Sequence, residues 1–167
     1  MYMDICLPSI LGTNRQLDEL TNNFYNWRLE TDPEWSTTLA VYKHNDKLES
    51  WDHRAFESHK NKAERFLGLL MSIKRSDLDK THMTSHDILE DILTTYIRGY
   101  RWKNFQPLNP FNFLEGLLND PKYFVDVTPF DTQGDFLNFI VRIEKMPHQN
   151  RIPDIIDALT ANETSFP

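Results

Sequence analysis

His82 and His86 stand four residues apart, and Glu90 follows four further on. On one helix, that spacing would stack two imidazoles and a carboxylate on a single face, the kind of donor set a zinc ion takes. Thr84 is the better helix N-cap of the neighbourhood, however, with Asp87 three residues later in a capping-box-like spacing. A helix opened by Thr84 leaves His82 ahead of it, so the expectation is two solvated histidines at a helix entrance and no metal ligand. The other histidines, His44, His53, His59 and His148, have no ligand-like spacing. No H-E-x-x-H, G-x-S-x-G, glycine-rich phosphate loop or EF-hand loop occurs in the 167 residues. The carboxylate pairs Asp18–Glu19 and Glu90–Asp91 read as solvated helix faces, since acid catalysis needs such groups buried together in a cleft. Cys6, the one cysteine, has no His or Lys beside it to lower its pKa. No catalytic residue, metal ligand or cofactor site is therefore assigned.

The segment Tyr96 to Phe105, YIRGYRWKNF, interleaves rings with cations, a pattern that can bind single-stranded nucleic acid. Its rings continue the apolar stripe of the preceding helix, and Arg98, Arg101 and Lys103 fall where a helix C-terminus favours cations. A net charge of −7 also argues against nucleic acid as a partner. No apolar run reaches the roughly 20 residues that a membrane span needs. The opening MYMDICLPSILG lacks a basic n-region and is interrupted by Asp4 and Pro8, so a cytoplasmic location is the default expectation. Asn162-Glu163-Thr164 is a glycosylation sequon, meaningful only in a secreted chain.

The elements follow from apolar periodicity and caps. Residues 1–13 are expected to be an irregular tail, with Thr13 or Asn14 capping a first helix whose stripe is Leu17, Leu20, Phe24 and Trp27. Pro33 ends that helix near Thr31. Asp32 caps a second, short one, with Trp35, Leu39 and Tyr42 as its buried face. Lys43 to Glu49 reads as a polar loop. Ser50 or Asp52 starts a third helix carrying Phe56, Ala63, Phe66, Leu67, Leu70 and Ile73. A polar connection over 75–83 leads to the helix from Thr84, with Ile88, Ile92, Leu93, Tyr96, Ile97 and Tyr100 as its stripe. Four prolines divide residues 103–131, where a short helix over 111–119, or a strand, is expected. Thr132, with Asp135 three on, caps a helix whose apolar residues are Phe136, Leu137, Ile140, Val141 and Ile143, stopped by Pro147. A last helix is expected over 152–159, with Ile155, Ile156 and Leu159 inward, before a frayed tail over 160–167. The whole predicts an all-α array of about five to seven helices in one domain over residues 14–159.

Several pieces resemble a known family in order and spacing. Phe24-Tyr25-Asn26-Trp27-Arg28-Leu29 followed by Asp32-Pro33-Glu34-Trp35-Ser36-Thr37 resembles the opening of domain-of-unknown-function family 885. Leu48, Trp51-Asp52 and Leu69-Leu70, then Leu78 with the helix from Asp87 to Tyr100, and finally DFLNFIVRIEKMP over Asp135 to Pro147, are similar to its later pieces. Arg142-Ile143 fills the family's Arg-Leu position. The resemblance spans about Leu17 to Leu159. It implies the N-terminal part of a larger, zincin-like helical metallopeptidase fold, whose H-E-x-x-H helix lies beyond the matched region. No zinc ligand or catalytic glutamate carries over.

The expected function is thus a non-catalytic helical portion of a zinc metallopeptidase-like protein, from a truncated product, a short isoform or an incomplete gene. One alternative is an interaction module that binds another protein chain through an exposed aromatic face, with Phe111 to Phe130 the first candidate surface. The other is a small metal-dependent hydrolase around His82, His86 and Glu90.

Overall fold

A computed structural model describes residues 7–102, 120–148 and 151–160. The fold is all-α: every regular element among the described residues is helical. The α-helices are α1 (Leu7–Thr31), α2 (Pro33–Thr38), α3 (His53–Ser72), α4 (Lys80–Gly99), α5 (Asp120–Val127), α6 (Gln133–His148) and α7 (Arg151–Thr160). Short 3-10 turns cover Tyr42–His44, Arg75–Asp77 and Tyr100–Trp102. Contacts gather into two compact units. One uses the described residues of Met1–Trp27 and Glu57–Arg101, the other those of Arg28–Phe56 and Trp102–Pro167.

In the first unit, α1, α3 and α4 share a core of Leu17, Leu20, Ala63, Phe66, Leu70, Ile73, Leu78, Leu89 and Leu93. An aromatic knot lies against it. Phe24 meets Phe66 edge-on at 5.7 Å, and Trp27 stacks obliquely on Phe66 at 5.5 Å and edge-on to Tyr96 at 6.0 Å. Offset and edge contacts of this kind each add about 0.5–1.5 kcal/mol beyond burial.

Two helix starts here differ from the expected ones. The tail expected over residues 1–13 is helical from Leu7. Pro8 is tolerated there because a first-turn residue has no intrahelical partner for its N–H. Asn14, expected as a possible cap, lies inside α1 and is buried. Its Nδ2 donates to Asp79 Oδ2 at 2.7 Å, and its Oδ1 accepts from the Asp79 N–H at 3.3 Å. The fourth helix starts at Lys80, not after Thr84, because Asp79 caps it by accepting from the His82 N–H at 2.9 Å. The first turn that this adds, Lys80-Thr81-His82-Met83, has Met83 as its one apolar residue, packed on the core, and carries no apolar stripe that would reveal it. Ile88 and Ile92, expected in the core stripe, are 56% and 45% exposed; Leu93 is inside as expected, joined by His86 and Leu89.

In the second unit Asp32 caps α2 as expected, its Oδ1 accepting from the Trp35 N–H at 3.0 Å with Pro33 at the first helical position. The buried face of α2 is not the expected one. Pro33, Ser36 and Thr37 are inside, whereas Leu39 and Tyr42 are 42% and 44% exposed. The small polar residues face inward because their hydroxyls are satisfied there: Ser36 Oγ donates to Val41 O at 2.7 Å, and Thr37 Oγ1 lies 2.9 Å from Pro33 O and 2.8 Å from Asn45 Oδ1.

The end of α2 is a Schellman motif: Val41 N–H donates to Ser36 O and Ala40 N–H to Thr37 O, both at 3.0 Å. Ala40 occupies its left-handed position with φ 58°, a conformation that costs an L-residue about 1–2 kcal/mol. Ala40→Gly removes that strain at the cost of a more flexible unfolded chain. A net gain of about 0.5–1 kcal/mol is expected in urea unfolding.

Asp52 starts α3 by accepting from the Ala55 N–H at 2.7 Å. Thr132 and Asp135 cap α6 reciprocally: Asp135 N–H donates to Thr132 Oγ1 at 3.2 Å and Thr132 N–H to Asp135 Oδ2 at 2.8 Å. α6 runs through Pro147 to His148 rather than stopping at the proline. Leu48, Phe124 and Met146, with Phe139 and Ile143, form the second unit's core. Within Phe111 to Phe130, expected as the first candidate surface, Phe124 is 1% exposed and belongs to this core, whereas Tyr123 and Val125 are 43% and 51% exposed. The expected helix over 111–119, Cys6, Lys103 to Phe105, the tail beyond Thr160 and the Asn162 sequon lie outside the described residues.

Candidate functional site

The N-terminal half of α4 gathers most of the polar side chains that could do chemistry. His82 lies inside the helix, so the reason for discounting the histidine pair does not hold. His82 nonetheless points to other partners. Its Nδ1 is 2.9 Å from Asp79 Oδ1 and its Nε2 is 3.3 Å from Asp18 Oδ1. The ring bridges the carboxylate of α1 to the cap of its own helix. Asp18 is thereby accounted for, and its neighbour Glu19 pairs with Arg15 at 2.9 Å.

One turn on, His86 is 4% exposed, and Asp87 and Glu90 stand beside it at the edge of the core. Its Nδ1 lies 3.8 Å from Asp87 Oδ1 and 3.9 Å from Glu90 Oε2. Asp87 was legible in the sequence only as a capping acid. With the helix starting earlier it is free of that role, and Arg75 grips it bidentately, Nε to Oδ1 at 2.7 Å and Nη2 to Oδ2 at 2.8 Å. The structure thus brings together His86, Asp87 and Glu90 and leaves His82 with Asp18 and Asp79. Asp91 is exposed.

The His82 bridge makes stability depend on pH. The Asp79 contact, reinforced by Asp79 and Asp18 charge and opposed by desolvation, raises the His82 pKa above its usual 6.5. A group whose folded pKa is raised stabilises fully below the unfolded value and loses that stabilisation as pH rises through the folded one. Asp79 works in the opposite direction: the His82 N–H and ring hold its pKa below 3.8, so its contribution is lost only on acidification. Melting temperature should therefore fall as pH rises from about 6 to about 8, and His82→Gln should flatten that slope.

The second unit holds a buried cation. Arg142 of α6 is fully buried. Its Nε donates to Lys47 O at 2.9 Å, and its Nη2 donates to His44 O and Thr37 Oγ1, both at 3.0 Å. The guanidinium lies over the Phe124 ring at 5.4 Å. Burial pulls its pKa down, offset by Glu34 and Asp46. Next to it, Lys145 Nζ donates to Asp46 O. The two cations tie α6 to the 37–47 segment, and the stretch Lys43 to Glu49, expected as a polar loop, has His44, Asn45 and Leu48 buried. The chemistry here is structural, because the acceptors are mostly backbone carbonyls.

With Arg142 turned inward beside Phe139, Ile143 and Met146, four other apolar residues of α6 turn outward. Phe136, Leu137, Ile140 and Val141, expected in the core, are 51%, 55%, 50% and 36% exposed. On α7, Ile155 is buried, whereas Ile156, also expected inside, is 54% exposed. The signal that could have revealed this is the 139, 142, 143, 146 spacing, a helical stripe in which an arginine sits among Phe, Ile and Met.

Among the described residues no helix is long and apolar enough to cross a membrane. No family model, no curated protein and no solved structure matches this chain.

Proposed function

We propose that this chain is a non-catalytic helical module that offers the outer face of α6 to another protein chain. In the setting implied by the resemblance to family 885, it would be the N-terminal helical portion of a zinc metallopeptidase-like protein. The observation that supports the reading is the half-exposed stripe Phe136, Leu137, Ile140 and Val141, on a helix whose other face is anchored by Arg142 and Met146. Contiguous apolar surface rimmed by polar residues is the usual mark of an interaction surface. The absence of an H-E-x-x-H from the sequence supports the non-catalytic part.

Light scattering on the purified chain tests it. Concentration-dependent mass above 19.8 kDa is expected, returning to that of one chain in Leu137→Glu/Ile140→Glu. Exposed positions of this kind shift stability by only about 0.5 kcal/mol, so the melting temperature should hardly change. A chain that stays monomeric at every concentration and hydrolyses peptides would contradict the reading.

A further inference from the structure

His86 presents an unsolved physical problem. Leu89 and Leu93 belong to the same inward face of α4, and the imidazole is carried with them into the edge of the first unit's core. Both of its ring nitrogens are buried and neither has a hydrogen-bond partner. Buried polar atoms are nearly always paired, and an orphaned pair on one ring calls for a reason, a bound ion among them. Two carboxylates stand next to this ring, one at each end of the same helical turn, and their side chains are 50% and 47% exposed. One donor atom each from His86, Asp87 and Glu90 lies within 4.8 Å of the others.

We propose that His86, Asp87 and Glu90 form a binding site for a divalent first-row transition metal, with zinc the ion to use as probe. An imidazole nitrogen with two carboxylate oxygens suits zinc, whereas calcium and magnesium prefer oxygen alone. Donors held about 2.1 Å from a tetrahedral ion are about 3.4 Å apart. The His86 Nδ1 distances of 3.8 Å and 3.9 Å to the two carboxylates, in a set spread over no more than 4.8 Å, close on an ion by rotation of the half-exposed carboxylate side chains. The carboxylates are half in water, which gives the ion its way in, while the imidazole supplies the rigid, dry side of the site.

Arg75 is the outer support. Its fork fixes the plane of the Asp87 carboxylate, and each carboxylate oxygen keeps a further lone pair for a metal. Hydrogen-bonded support of a ligating carboxylate is a usual companion of metal sites. The guanidinium also leaves the ligand set with one net negative charge, which neutralises part of a dication and favours moderate over very tight affinity. Three protein donors leave at least one coordination position for water or for a side chain from a partner, the arrangement of open rather than closed zinc sites. This site is independent of the outer face of α6, and either can stand if the other fails.

The test is zinc titration of the whole chain, followed by calorimetry and by the imidazole nitrogen resonances. One equivalent of zinc is expected to bind, to raise the melting temperature, and to shift the His86 Nδ1 resonance while those of the other histidines stay in place. Glu90→Gln, at a half-exposed position, should retain the helical circular dichroism and weaken zinc binding by about tenfold or more. His82→Gln should bind as the unaltered chain does. The assignment is overturned if zinc does not bind, if it moves other histidines and not His86, or if folded Glu90→Gln binds zinc as tightly as the unaltered chain.

Discussion

Arg142→Ala is expected to destabilise the protein by about 2–4 kcal/mol in chemical unfolding, because its side chain is the centre of the second unit. The substitution removes donors from Lys47 O, His44 O and Thr37 Oγ1 at once. Each hydrogen bond to a charged group is worth about 1.5–3 kcal/mol, and a buried acceptor left without a donor costs a further share. Against this stands the gain from no longer burying a charge, which is several kcal/mol and explains why the sum is not larger. Phe124 would also lose the plane it stacks on. Arg142→Met separates the two contributions. It restores volume without charge, yet the carbonyls stay unpaired, so it should recover only part of the loss. Arg142→Lys should recover little, since one ammonium cannot span three acceptors that a planar fork reaches together.

Phe66→Ala is the counterpart in the first unit, with an expected loss of about 3–5 kcal/mol. Phe66 is 5% exposed and lies between Phe24 and Trp27, so its removal opens a cavity and ends two ring contacts. Lys62 Nζ, 5.2 Å from the ring centroid, would also lose its seat. Phe66→Leu should lose much less, because most of the volume is kept. Urea unfolding read by tryptophan fluorescence is suited to it, since Trp27 reports from the knot itself.

Much of the fold is legible in the sequence where one residue type has one dominant role. Asp32 with Pro33, and Thr132 with Asp135, mark helix starts because few other arrangements satisfy the same backbone donors. The Ala63, Phe66 and Leu70 stripe of α3 is equally direct. Legibility ends where tertiary structure reverses a local preference. Asp79 outcompetes Thr84 as a cap because Asn14, 65 residues away, holds it in place. α6 turns a greasy face outward because the oxygens of the 37–47 segment gather around Arg142, and an arginine in a sequence reads as surface. Ser36 and Thr37 are inside for the same reason, as parts of the polar pocket that receives the guanidinium. The grouping of His86 with Asp87 was hidden by the misplaced start of α4: once the N-cap moves from Thr84 back to Asp79, Asp87 ceases to be a capping acid.

The role of α6 is the claim on which the functional reading rests, and methyl-resolved NMR with a soluble paramagnetic probe addresses it most directly. In a dilute sample the methyls of Leu137, Ile140 and Val141 should be strongly broadened by the probe, that of Met146 should not, and concentrating the chain should protect the first three. If Leu137, Ile140 and Val141 are shielded as well as Met146 in the dilute monomer, their face belongs to the core and the proposed interaction surface does not exist.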